Sequence, residues 1–277
     1  VFELDFSQSN FTLKGDQWRI AKSPRLIVDL KNRKFSSSEV VLRRDLGGEM
    51  NLQLGYTDND NFEFSFSADD VPIEAITPEV KQLRLGGSTT GTISIRSEAG
   101  ELTPLFNVSV DEFRVNDQEL GFFNAIVLGN ESADRFTLNA DLSSGIQTYF
   151  SLNGALERSS EGLQSQISGA FNSLPLAPFS ALGTTTFDKL TGMLSGRFDV
   201  QGPITTPNLN GSLTIEDGGI RFPYLGSSYK LNPSATIDLT PNGFIFTDVA
   251  LIDIEAATTT QLKGAIFHDF FTNWNLG

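Results

Sequence analysis

The sequence predicts an all-β protein: a long curled antiparallel or mixed sheet, a β-taco or elongated β-groove, built from tandem β repeats with one or two short helices. Three observations predict it. Apolar and polar residues alternate with period two along nearly the whole chain. Turn signals interrupt that alternation at short intervals. Two stretches about a hundred residues apart carry similar motifs in the same order.

The alternation begins at once, with Phe2, Leu4 and Phe6 set against Glu3 and Asp5. Leu26, Val28 and Leu30 follow, then Leu52 and Leu54, then Phe62, Phe64 and Phe66 against Glu63 and Ser65. Ile93 and Ile95, Phe106 and Val108, Phe136 and Leu138, and Phe150 and Leu152 continue it. Phe198 and Val200, Leu213 and Ile215, Ile237 and Leu239, Phe244 and Phe246, and Leu262 and Ile266 close it. Successive strand side chains point to opposite faces, so each run implies one wet face and one dry face. Asp45-Leu46-Gly47-Gly48, Asp58-Asn59-Asp60-Asn61, Ser143-Ser144-Gly145, Asp217-Gly218-Gly219 and Pro241-Asn242-Gly243 supply the turns. At roughly 10–13 residues per strand and turn, the chain holds on the order of 20 strands. An open sheet beyond about 10 strands must curl, split or close.

Two segments break the pattern. Thr77-Pro78-Glu79-Val80-Lys81-Gln82-Leu83 offers an N-cap, a proline at the first helical position and an early acid. Pro178-Phe179-Ser180-Ala181-Leu182 runs into Gly183, a natural helix terminator. Each predicts a helix of one or two turns.

Composition excludes whole classes of function. The formal charge is −14 and the pI near 4.4, which argues against nucleic acid and disfavours flat electrostatic docking on anionic headgroups. Contact with acyl chains needs only apolar lining and is compatible with that charge. There is no Cys, so disulfides, thiolate metal sites and a cysteine nucleophile are excluded. Of the aromatics, 23 are Phe against 4 Tyr and 2 Trp. The chain favours the one aromatic that needs no polar partner. No apolar stretch approaches the roughly 20 residues of a spanning helix. Val1 opens directly on a strand pattern and Thr272 to Gly277 reads as another strand, so both ends read as cuts in a longer protein.

The repeat is read from paired motifs. Val71-Pro72-Ile73 corresponds to Leu174-Pro175-Leu176, and Thr90-Gly91-Thr92-Ile93 to Ser195-Gly196-Arg197-Phe198. Thr103-Pro104 corresponds to Thr206-Pro207, and Asn107-Val108-Ser109-Val110 to Asn210-Gly211-Ser212-Leu213. The expected organisation is an N-terminal β segment over residues 1–70, one repeat copy over 71–173 and a second over 174–277, forming one continuous groove.

Leu174-Pro175-Leu176, Gly192-Met193-Leu194-Ser195-Gly196 and Gly202-Pro203-Ile204-Thr205-Thr206-Pro207-Asn208-Leu209-Asn210-Gly211-Ser212-Leu213 resemble the TamB/AsmA-like family of Gram-negative envelope proteins. The resemblance continues through Ile215-Glu216-Asp217-Gly218-Gly219-Ile220 and Leu262-Lys263-Gly264. It is sharpest over Leu174 to Asn275, with a weaker copy over Val71 to Gly121. It implies a folded-over sheet with an apolar interior, in a protein anchored in the inner membrane that crosses the periplasm. It also implies phospholipid movement towards the outer membrane and an Omp85-type outer-membrane barrel as partner. Membrane contact would come through parts of the full-length chain outside this sequence.

No constellation for catalysis emerges, and the expectation is that the chain is not an enzyme and carries no cofactor. His268 in Phe267-His268-Asp269-Phe270 is the one histidine. Its neighbour Asp269 points to the opposite face of a strand, so the pair reads as rim or surface, not a base and its orienter. Asp58-Asn59-Asp60-Asn61 lacks the glycine and distal glutamate of a calcium loop and reads as turn chemistry.

The apolar strand face carries the functional reading. Its candidate lining residues are Phe2, Leu4, Phe6, Phe62, Phe64, Phe66, Ile93, Ile95, Phe106, Val108, Phe198, Val200, Leu213, Ile215, Phe244 and Phe246. Such a face is more often the packed core of a sandwich. The repeat and the resemblance turn the reading towards a trough for phospholipid acyl chains. The alternatives are an assembly module for outer-membrane proteins that adds client strands at an open edge, and a secreted repeat protein with a closed structural core.

Overall fold

The computed structural model describes residues 1–277 apart from residues 6–8, 23, 79, 81, 131, 133, 184, 185 and 271. Among the described residues the chain is all β, as the alternation predicts, with 21 strands, one four-residue α-helix and two 3-10 turns. Every strand pair whose register is defined is antiparallel.

The opening strands are short: β1 (Phe2–Asp5), β2 (Asn10–Leu13), β3 (Asp16–Lys22), β4 (Arg25–Asp29), β5 (Lys34–Ser37) and β6 (Val40–Arg44). Longer ones follow: β7 (Glu49–Asp58), β8 (Asn61–Pro72), β9 (Leu85–Glu98), β10 (Glu101–Val115), β11 (Gln118–Gly129) and β12 (Arg135–Ser144). The helix α1 (Ile73–Ile76) lies between β8 and β9. Then come β13 (Gln147–Ser159), β14 (Gly162–Pro175), β15 (Asp188–Pro203), β16 (Asn208–Phe222), β17 (Ser227–Leu231), β18 (Ser234–Thr240), β19 (Gly243–Asp253), β20 (Thr259–Asp269) and β21 (Thr272–Leu276). No helix among the described residues is long and apolar enough to cross a membrane.

The chain divides into two compact units. Unit 1 comprises Val1–Pro78, Leu85–Phe113 and Phe122–Leu138, and unit 2 comprises Glu79–Arg84, Arg114–Gly121 and Asn139–Gly277.

In unit 1 the strand β7 is a fork. Its first half pairs with β6, where Val40 faces Leu52, and β6 passes the sheet on to β3 and β2. Its second half pairs with β5, where Phe35 faces Tyr56, and β5 leads to β4 and β1. Its other edge carries β8, then β9 and β10. The packed core sits at the β6 end, where Trp18, Met50, Ala68 and Val71 are buried against Leu42, Phe66 and the α1 residues Ala75 and Ile76.

The first helix differs from expectation. It occupies Ile73–Ile76, and Thr77 is its extended C-cap at φ −99° and ψ 147°, donating its N–H to Ile73 O at 3.0 Å. The physical reason is Pro78: its ring forces the residue before it out of the helical region, so Thr77 ends a helix and cannot start one. Val80 and Leu83 form an isolated antiparallel bridge, and Glu79 and Lys81 of the expected helix lie outside the described residues. The second expectation fares better, with a 3-10 turn over Ala177–Gly183. Gly183 is required by contact, since a Cβ there would stand 2.3 Å from the Phe187 ring.

Unit 2 is a sequential meander in which β13, β14, β15, β16, β18, β19, β20 and β21 pair in that order. The short β17 joins the ends of β16 and β19. Bulges interrupt β8 between Ala68 and Val71 and β14 between Phe171 and Leu174.

Candidate functional site

The registers place the apolar residues of unit 2 in rows that cross the strands. One row runs Phe150, Phe171, Gly196, Leu213, Ile237, Phe246 and Gly264. The next runs Leu152, Gly169, Phe198, Gly211, Leu239, Phe244 and Ile266. A shorter third row holds Gly154, Ile167, Val200 and Leu209, and a fourth holds Leu174, Leu194, Ile215 and Ala235. No polar side chain occurs in any of the four. Each long row crosses seven strands, about 29 Å along the sheet at ~4.8 Å per strand. That exceeds the ~15 Å that one leaflet's acyl chains occupy in a bilayer with a hydrocarbon core of about 30 Å.

Glycine shapes this face. The Phe198 ring lies over Gly169, where a Cβ would meet its Cζ at 2.2 Å, and Phe198 also stacks obliquely on Phe171 with ring centroids 5.8 Å apart. Gly196 and Gly211 hold φ of +143° and +158°, and their neighbours in the sheet come in where a side chain would stand. Most of the large residues here are half-buried; Leu209, Leu239 and Leu174 are buried. Faces that pack fully against a second sheet bury such residues throughout.

The opposite face of unit 2 is polar. Asn153, Ser168, Asp199 and Asn210 stand in line, and Ser168 Oγ donates to Asp199 Oδ1 at 2.5 Å. Ser195, Thr214 and Thr236 form another polar line.

Unit 1 has a similar division. Leu54, Phe64 and Ile95 share one row and Leu52, Phe66 and Ile93 the next, while Tyr56, Phe62 and Ser97 form a third. Glu63, Ser65 and Ser94 stand on the other face, where Arg96 reaches Glu63 at 3.4 Å. Phe106 and Val108 share one face of β10 with the buried Val110, and a Cβ on Gly91 would lie 2.7 Å from Val108 Cα. Phe2 and Leu4 pair with Val28 and Leu26 at the end strand β1, where they are 59% and 49% exposed. Phe6 lies outside the described residues.

The structure therefore brings Phe198, Val200, Leu213, Ile215, Phe244 and Phe246 onto one face of unit 2, and Phe62, Phe64, Phe66, Ile93 and Ile95 onto one face of unit 1. Sequence reasoning omitted Phe150, Phe171 and Ile237 from the lining set; Phe150 and Ile237 stand in the period-two alternation and were readable there, whereas Phe171 joins the face through its register with Phe150 and Gly196.

His268 is a correction. It is only 6% exposed, because the Phe244 ring at 5.4 Å and the Trp274 ring at 5.1 Å enclose it. Those rings come from β19 and β21, and nothing in the local sequence announces them. Asp269 is exposed beside it.

The Asp58-Asn59-Asp60-Asn61 turn closes β7 onto β8. Asp58 Oδ1 accepts from Asn61 Nδ2 at 2.8 Å and from the Asp60 N–H at 3.0 Å. The Asn61 amide above all, with the turn N–H groups, holds this carboxyl below its ordinary value. Among the described residues no group of three or more His, Asp or Glu side chains gathers as a metal site.

No family model, curated protein or solved structure matches this chain.

Proposed function

We propose that this chain is a periplasmic segment of a TamB-like bridge protein, whose apolar sheet faces shield phospholipid acyl chains in transit between the inner and outer membranes. Outer-membrane biogenesis is the process served, an Omp85-type barrel is the partner class, and the work is carriage, not catalysis. The observation that carries the reading is the unit 2 face: four adjacent rows free of polar side chains, with most of their large residues only half-buried.

A hydrocarbon chain lying along such a row gains about 0.8 kcal/mol for each CH₂ it removes from water. No hydrogen-bonding group fixes it at one position, so it slides instead of lodging. The polar line through Asn153, Ser168 and Asp199 keeps the reverse face in water.

The test is native mass spectrometry of the purified chain followed by lipid extraction, with photo-crosslinking from position 198 or 246 in the full-length protein in cells. Phospholipid adducts from those positions, and none from position 199 on the polar face, are expected. Adducts from neither face, with no lipid retained, would leave the face as structural packing only.

A further inference from the structure

The net charge of −14 hides a local reversal. Nine of the 20 Lys and Arg residues fall between Lys14 and Arg44, where only Asp16, Asp29 and Glu39 stand against them. The densest part is the hairpin joining β4 to β5. Its turn runs through Leu30, Lys31, Asn32 and Arg33, and β5 opens with Lys34. Three cations thus occupy four consecutive positions, all exposed, directly after a leucine that is 67% exposed. Ile27 and Phe35 nearby are exposed as well.

The turn is firmly built. Asp29 Oδ1 accepts from the N–H groups of Lys31 and Asn32, each at 3.1 Å, and Asp29 Oδ2 accepts from Asn32 Nδ2 at 2.7 Å. The one carboxylate within the hairpin is therefore engaged in holding the backbone. Four other cations of this stretch are paired: Lys22 with Glu39, Arg25 with Glu3 and Asp5, Arg43 with Glu49 and Arg44 with Asp16. Among the described residues Lys31, Arg33 and Lys34 form no such ion pair. Asp58 in the neighbouring turn feels the Lys34 charge, but its Oδ1 is already occupied by Asn61 and Asp60.

We infer that the β4–β5 turn is a membrane-surface contact, in which Lys31, Arg33 and Lys34 meet the phosphates of anionic phospholipid headgroups and Leu30 enters the interface. An exposed leucine costs free energy in water and gains by burial at the acyl boundary. Cations beside an anionic bilayer surface supply the attraction that a net acidic chain otherwise lacks. Nucleic acid is the weaker fit, because its contacts reward a broad basic face and leave Leu30 in water. The inference does not rest on the acyl-chain reading, since the turn belongs to unit 1 and shares no residue with the unit 2 rows.

The test is vesicle flotation of the full chain with phosphatidylcholine alone and with phosphatidylcholine containing phosphatidylglycerol. Binding is expected only with phosphatidylglycerol, and added salt should reverse it. Replacing all three cations (Lys31→Gln, Arg33→Gln, Lys34→Gln) lowers partitioning at least tenfold, at roughly fivefold per cation. Leu30→Ser weakens it without changing its salt dependence, and circular dichroism confirms that both variants keep the strand content of the parent. Failure of the parent to bind phosphatidylglycerol vesicles, or equal binding by the triple variant, overturns the inference. So does equal binding to both vesicle types, which is the behaviour of an acyl-chain face alone and leaves the proposed function standing.

Discussion

The backbone N–H of Ser173 donates to the Ser195 hydroxyl at 3.0 Å across the β14–β15 pair. In unit 1 the N–H of Asp70 donates to the Thr90 hydroxyl at 3.2 Å across β8 and β9. Ser173 and Asp70 both adopt left-handed backbone, each at φ 53°, and each sits in a bulge just before a helical turn. A non-glycine residue in this conformation is strained by roughly 1–2 kcal/mol, and the hydroxyl across the pair helps to hold it.

Ser195→Ala removes the acceptor and should lower the stability of unit 2 by about 1 kcal/mol, the ordinary net value of such a bond. Ser195→Thr should keep it. Urea unfolding followed by circular dichroism reads both, and an unchanged midpoint in the alanine variant would mean that the bulge is held by sheet pairing alone.

Gly169→Ala should be costly because a methyl group there collides with the Phe198 ring. Overpacking of this kind typically costs about 1–3 kcal/mol. With Phe198→Leu in the same chain the penalty should shrink, giving a coupling of about 0.5–3 kcal/mol between contacting residues. Strict additivity in the double-mutant cycle would show that the ring does not depend on the glycine.

Trp18 and Phe246 should respond differently to loss. Trp18 is fully buried in the unit 1 core, so Trp18→Ala should cost about 3–5 kcal/mol. Phe246 is half-buried on the unit 2 face, and an open face can hydrate a carboxylate. Phe246→Glu should therefore cost only about 1–2 kcal/mol of lost apolar burial, while abolishing lipid retention. Unfolding of that variant would instead indicate a closed core, where an unpaired charge is far more costly.

Asp58 should titrate below its ordinary value of 3.8. Because the folded-state pKa is depressed, the contribution is present above the unfolded value and is lost as pH falls through the folded one. Asn61→Ala should move the midpoint back towards 3.8. Carboxyl NMR titration of the parent and the variant measures both, and identical midpoints would remove Asn61 as the cause.

The strands and their two faces are legible in the order of residues alone. Phe62, Phe64 and Phe66 against Glu63 and Ser65 needed no tertiary information, because successive side chains in extended backbone must point to opposite sides. Turn chemistry was equally local, as Asp58 and Asn61 show.

Tertiary structure decided where the alternation breaks and what covers it. Phe171 and Leu174 are out of phase by count, yet the left-handed Ser173 adds a residue to β14 and returns Leu174 to the same face, opposite Leu194. Phe198 fills the space above Gly169 only because register brings two residues 29 positions apart side by side. His268 is buried by rings from two other strands, and the exposed cations at the β4–β5 turn vanish in a chain-wide net charge of −14. Period and turn type are set by neighbours along the chain; burial, close approach and unpaired charge are set by residues that meet only when the sheet forms.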